Sequence, residues 1–138
     1  DNEMNNIYVG IVIDGDEKRV IEHAIAVSEK FNAKLTAIHV NDEYAGEMSM
    51  MMDSPEKYEE NDIRDAFRTY GFEVIAERMN VKIIKAENIP KAIVEESSEA
   101  DLLVLGHKRM SSFKASFMDS TDEGVVNLIE CPVLVVQK

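Results

Sequence analysis

Apolar residues along this chain fall into two alternating kinds of stretch: short, nearly unbroken runs, and longer segments in which they recur every three or four positions. Unbroken runs mark strands covered on both faces, and the longer spacing marks amphipathic helices. The first run, residues 7–13, is apolar and mostly β-branched apart from Gly10, which predicts a central parallel strand. Asp14-Gly15-Asp16 ends it, with Asp16 expected to cap the next helix and Glu17 placed at the positive end of that helix's dipole. Val20, Ile21, Ala24, Ile25, Val27 and Phe31 then recur near helical spacing, which predicts a helix over 17–31.

A second strand is expected over 34–40, followed by a loop over 41–53 that carries Gly46, Met48, Met50, Met51 and Met52. Ser54-Pro55 reads as N-cap and first helical position of a helix reaching residue 79 through Ile63, Ala66, Phe67, Tyr70, Val74 and Ile75, bent at Gly71. A third strand is expected over 81–86. Asn88 and Pro90 then open a short helix with Ala92, Ile93 and Val94 inward, ending near Ser98. A fourth strand over 102–105 runs into Gly106 and a polar, basic loop, and a helix over 121–130 leads to a last strand over 133–136. Regular alternation of strand and helix implies right-handed crossovers and a doubly wound α/β sheet with helices on both faces. With no repeat or linker, the chain reads as a single domain over 1–138, residues 1–6 being a disordered or foreign tail and Met4 a candidate native start.

Composition narrows the function. A chain of 138 residues, 45% hydrophobic, suits one domain burying roughly two-thirds of its unfolded surface. No apolar run approaches the ~20 residues needed to cross a bilayer, and the first six residues lack the features of a signal peptide, so a cytoplasmic protein is expected. The single cysteine, Cys131, precludes an internal disulfide; beside Pro132 at the head of an apolar strand it reads as a small buried residue rather than a nucleophile. Fifteen basic residues face 27 acidic ones, for a net charge of −12, which argues against nucleic acid and against an anionic membrane surface.

Little of the chain carries recognisable chemistry. His23 falls on a helix surface, His39 within a strand where it packs or hydrogen-bonds, and His107 after Gly106, where ligands collect past the carboxyl ends of parallel strands. No His-x-x-x-His spacing supports zinc, and the methionine cluster lacks the Cys or His that would complete a copper(I) site, so a mobile flap or partner contact is the preferred reading. There is no Gly-x-Ser-x-Gly elbow, Walker loop or Gly-x-Gly-x-x-Gly fingerprint, hence no catalytic residue and no metal site is assigned and no cofactor is expected. A phosphoacceptor receiver is disfavoured because the third strand ends in Lys85-Ala86-Glu87 without an aspartate.

Taken together, Ala100-Asp101-Leu102-Leu103-Val104-Leu105-Gly106, Cys131-Pro132-Val133-Leu134-Val135-Val136, Ile11-Val12-Ile13-Asp14-Gly15 and Ile38-His39-Val40 resemble the universal stress protein family in the order in which its strands occur. The resemblance implies a five-stranded parallel sheet in the order 3-2-1-4-5. It also implies an adenine-nucleotide pocket with Asp14 and Val40 on the adenosine side and Gly106, His107, Arg109, Ser120 and Thr121 on the phosphate side, and a homodimer through Val133, Leu134, Val135 and Val136. An apolar edge strand is a hazard that pairing would remove.

Nucleotide-binding members of that family carry three glycines around the phosphates, and here Arg109 and Asp119 stand at the second and third. Glycine allows backbone N–H groups to approach phosphate, whereas a carboxylate about 4 Å away repels it by roughly 4 kcal/mol per unit charge at an effective dielectric of about 20. Ser120 and Glu123 also fit a capping box that would occupy the N–H groups a phosphate needs. The leading reading is a non-enzymatic stress-response binding or signalling module with weak or absent ATP binding, leaving ATP, AMP or another small molecule as possible ligands. An ATP-binding switch or slow ATPase using Arg109, and a regulatory domain of a larger transporter or kinase, are the alternatives.

Overall fold

In the computed structural model, which describes residues 3–46, 56–108 and 121–138, with the side chains of Thr121 and Asp122 outside that description, the centre is strand β1 (Asn6–Gly10). Ile7, Tyr8 and Val9 are all buried, as residues of a strand covered on both faces must be. β1 pairs in parallel with β2 (Lys34–Asp42) on one side and β4 (Leu102–His107) on the other; β3 (Asn80–Ala86) and β5 (Val133–Gln137) form the edges. The order is β3-β2-β1-β4-β5, as the resemblance implies.

Residue alternation along each strand divides the core in two. Ile7, Val9, Leu35, Ala37 and Val104 point to one face, where α1 (Lys18–Lys30), α2 (Glu60–Thr69) and α3 (Glu73–Arg78) bury Ile21, Ala24, Ile63, Phe67 and Ala76. Tyr8, Ile38, Leu103 and Leu105 point to the other, where α4 (Ile89–Glu96) contributes Ile93 and α5 (Thr121–Val126) contributes Val125. Asn88 caps α4 as expected, its side chain accepting from the Lys91 N–H at 3.1 Å.

Several boundaries differ from expectation, each for a local reason. β1 stops at Gly10, with one further backbone bond from Ile11 to Ile38. Its start reaches into the expected tail, because the Asn5 and Asn6 N–H groups donate to the Asp101 carboxylate at 2.9 and 2.8 Å. Asp16 does not cap α1: Glu17 holds the N-cap position without a side-chain bond, and Asp16 pairs with Lys138 instead. The helix expected up to residue 79 is two helices, broken at Gly71, whose φ of +91° only glycine adopts at little cost. Arg64 of α2 holds them together by donating to the carbonyls of Ala76 and Met79, while Val74, expected inside, is exposed. Residues 56–59 precede that helix in non-helical form, and Ser54-Pro55 lies outside the described residues. α5 ends at Val126 rather than at 130.

Candidate functional site

The carboxyl ends of β1, β2 and β4 meet the first turn of α4 around a cavity of about 240 Å³. Ile38, Val40, Ile89, Ile93 and Leu105 give it apolar walls, and Lys138 is its one lysine or arginine among the described residues. Two glycines let neighbouring side chains close in around it. A Cβ on Gly10 would lie 2.9 Å from Leu105 Cδ2, and one on Gly106 would lie 2.5 Å from Lys138 Cε and 2.6 Å from Val20 Cγ2.

Gly106 therefore serves a different purpose from the one expected. It lies within β4, not past its end, paired with Val136, and it is not among the glycines with positive φ. Its missing side chain leaves room for Lys138 to cross the strand end. The strand runs on through His107 because β5 supplies partners: His107 pairs with Gln137, and its carbonyl accepts the Lys138 N–H at 2.9 Å. Lys138 Nζ sits 3.3 Å from Asp16 Oδ1, in a pair whose lysine side chain is 10% exposed.

On the β2 side, three segments are joined by one chain of hydrogen bonds. His39 is buried, with Nδ1 2.7 Å from the Ile11 carbonyl and Nε2 3.0 Å from Asn41 Oδ1. Asn41 is itself fixed by Tyr58, donating to its carbonyl at 2.8 Å and accepting its N–H at 3.0 Å. The Tyr58 ring stands edge-on to His39 at 5.4 Å. A hydrogen bond to Glu56 pushes the Tyr58 phenol up to about 12, with burial and the charges of Glu56, Asp14 and Asp62 adding to it. This rim is acidic.

Of the expected site residues, Val40 and Gly106 line the cavity. Asp14 is exposed and His107 lies in β4; neither is a lining residue. Thr121 opens α5. Arg109, Asp119, Ser120, the capping box and the Met48, Met50, Met51 and Met52 cluster lie outside the described residues. Lys138, Asp16 and the tie from His39 to Tyr58 were not anticipated; Gly10, interrupting an otherwise bulky run, was the one sequence signal for a close approach. Among the described residues no group of His, Cys, Asp or Glu could hold a metal ion. No helix there is long and apolar enough to cross a membrane. The other histidine, His23, is exposed on α1, and Cys131 is half-buried with its thiol pushed up chiefly by burial, unlike an activated nucleophile.

Comparison with known proteins agrees with this architecture. Among solved structures the chain is similar to a universal stress protein in complex with cAMP, at 20% identity over 98% of each chain with a TM-score of 0.67. It is similar to the universal stress protein UspA from Lactobacillus plantarum, at 22% identity over 97% of this chain and 98% of that one, TM-score 0.68. A third likeness is to the universal stress protein from Archaeoglobus fulgidus in complex with dAMP, at 17% identity, 97% and 98% coverage and a TM-score of 0.57. In sequence, the universal stress protein MJ0531 of Methanocaldococcus jannaschii is 32% identical, the alignment covering 96% of this chain and 84% of that protein. The family profile itself matches residues 4–137, and with the strand order and the cavity at the strand ends it leads to one conclusion: the chain belongs to the universal stress protein family.

Proposed function

We propose that this protein is a non-enzymatic, cytoplasmic stress-response binding module whose cavity takes an adenine nucleoside or its monophosphate and takes ATP weakly or not at all. The observation that carries the reading is the cavity itself, apolar in its walls and placed where parallel α/β sheets bind ligands. At about 240 Å³ it is smaller than the roughly 300–1,000 Å³ of drug-sized ligand sites, which suits a nucleoside better than a whole triphosphate. Asp16 pairs with the cavity's Lys138, and Asp14, Glu56 and Asp62 act on Tyr58, whose ring stands against the lining residue His39; these charges oppose a polyanion. The sequence adds Arg109 and Asp119 where the family's nucleotide binders have glycine. Two relatives of this fold were solved with cAMP and with dAMP, which favours an adenine ligand.

Calorimetry with ATP, ADP, AMP and adenosine, with and without magnesium, tests the proposal on the wild type and on Asp119→Gly. Binding of adenosine with weak or no ATP binding, and stronger ATP binding by Asp119→Gly, is the expected result. Micromolar ATP affinity in the wild type would overturn it in favour of an ATP-dependent switch. A homodimer along β5 belongs to the same proposal: β5 is the sheet edge, Val135 on it is exposed, and so are Val126 and Leu128 in the segment leading to it.

A further inference from the structure

We infer that Lys138 is the anion contact of this cavity and that Asp16 is its built-in competitor, so that a nucleoside monophosphate binds by exchanging its phosphate for the Asp16 carboxylate. The inference rests on the adenine reading above and deepens it. Three observations converge. Lys138 lines the cavity, and its side chain is 90% removed from solvent although it directly follows an edge strand. A lysine there would ordinarily extend into water and blunt the edge. Instead it is drawn across Gly106, where any side chain at that position would collide with Cε at 2.5 Å. Its ammonium is balanced by Asp16 Oδ1 at 3.3 Å, and Asp16 is the more exposed partner, at 30%.

This arrangement separates ligands by charge. An uncharged nucleoside fills the apolar walls and leaves the pair intact. A monophosphate must displace Asp16, whose Oδ1 is buried without a hydrogen-bond partner while the rest of its side chain reaches solvent, and Lys138 then pairs with the phosphate. Each further phosphate adds charge beside a carboxylate that has lost its partner, so affinity falls from mono- to triphosphate. Selection against ATP therefore comes from the β1–α1 connection and from β5 as well as from the altered glycine positions.

The test is calorimetry of adenosine and AMP with the wild type, Lys138→Met, Lys138→Arg, Asp16→Asn and Gly106→Ala. Lys138→Met should weaken AMP relative to adenosine by roughly ten- to a hundredfold, the range for a hydrogen bond to a charged group. Lys138→Arg should retain AMP binding. Asp16→Asn should tighten AMP by roughly fivefold, and AMP binding should weaken with added salt more than adenosine binding does. Gly106→Ala, by pushing the lysine aside, should resemble Lys138→Met in the ratio of AMP to adenosine affinity, with circular dichroism showing that the variant is folded. Adenosine and AMP affinities that stay in the same ratio in the wild type and Lys138→Met would overturn the assignment while the cavity reading stands. Failure of adenosine to bind any of the five proteins would overturn both.

Discussion

The two faces of this sheet are built from the same strands by the same alternation of residues, yet at the carboxyl ends of β1, β2 and β4 the apolar residues of the α4 side border a cavity while the core residues of the α1 side are closely packed. On the α1–α2–α3 face, Ile7, Val9, Val20, Ile21, Ile63, Phe67 and Ala76 are 0–1% exposed, and the open space on that side lies at the amino ends of β2 and β3, beside Lys34, Leu35, Met79 and Asn80. On the α4–α5 face, Leu103 and Val125 are as deeply buried, but Ile38, Ile93 and Leu105 also line the cavity. Close packing is the rule for interiors, so an apolar space at the strand ends, where parallel α/β sheets bind ligands, is the proposed site. The first face supplies most of the deeply buried core, and the second borders the cavity proposed as the ligand site.

Large-to-small substitutions break this comparison most directly. Phe67→Ala should cost about 3–5 kcal/mol, because α1, α2 and the sheet hold their positions around the lost ring. Ile93→Ala should cost less, near the lower end of the roughly 2–5 kcal/mol range, since the side chain already borders empty space. Urea denaturation measures both. Equal losses would mean that the α4 side is as tightly packed as the other, and the cavity would lose its meaning as a site.

The carboxyl end of β2 offers a sharper variant of the contrast, because there the α1 side is tied by polar groups. Asn41→Ala removes the partner of His39 Nε2 and of both Tyr58 backbone groups at once. Leaving such groups unpaired costs about 1–3 kcal/mol. Hydrogen exchange should then show faster opening of residues 56–59 while β4 and β5 stay protected. Unchanged exchange at those residues would show that the tie does not hold the segment.

Which of these features the sequence made legible follows from what each depends on. Strand order, the central place of β1 and the Asn88 cap depend on local pattern and on resemblance, and they were readable. Val40 and Gly106 were placed at the site by the same route. The close approach that Gly106 allows was not legible, because its neighbours Lys138 and Val20 come from the residue after β5 and from α1, and no spacing in the sequence announces them. Asp16 resembled a helix cap by position, but a lysine 122 residues further along claimed its carboxylate. The break between α2 and α3 was signalled by Gly71, but a single glycine mid-helix costs only about 1 kcal/mol, so its outcome depended on tertiary contacts such as those of Arg64.

The smallest effect expected is a pH dependence at the same β2 end. The folded protein holds the Tyr58 phenol at about 12 against an ordinary 10.0, through its hydrogen bond to Glu56 first and burial second. A proton bound more tightly in the folded state stabilises it, fully below pH 10.0 and progressively less as pH rises through about 12. Tyr58→Phe keeps the ring edge against His39 and the backbone bonds to Asn41 while removing the titrating group. Tyr70 is also raised, chiefly by burial, so the difference between wild type and variant isolates Tyr58. Between pH 10 and pH 12 the wild type should lose more stability toward urea than Tyr58→Phe, and tyrosinate absorbance should show one fewer late-titrating phenol in the variant. Parallel stability profiles would mean that Glu56 does not hold the phenol, and the acidic rim would then be free to turn toward the cavity's ligand.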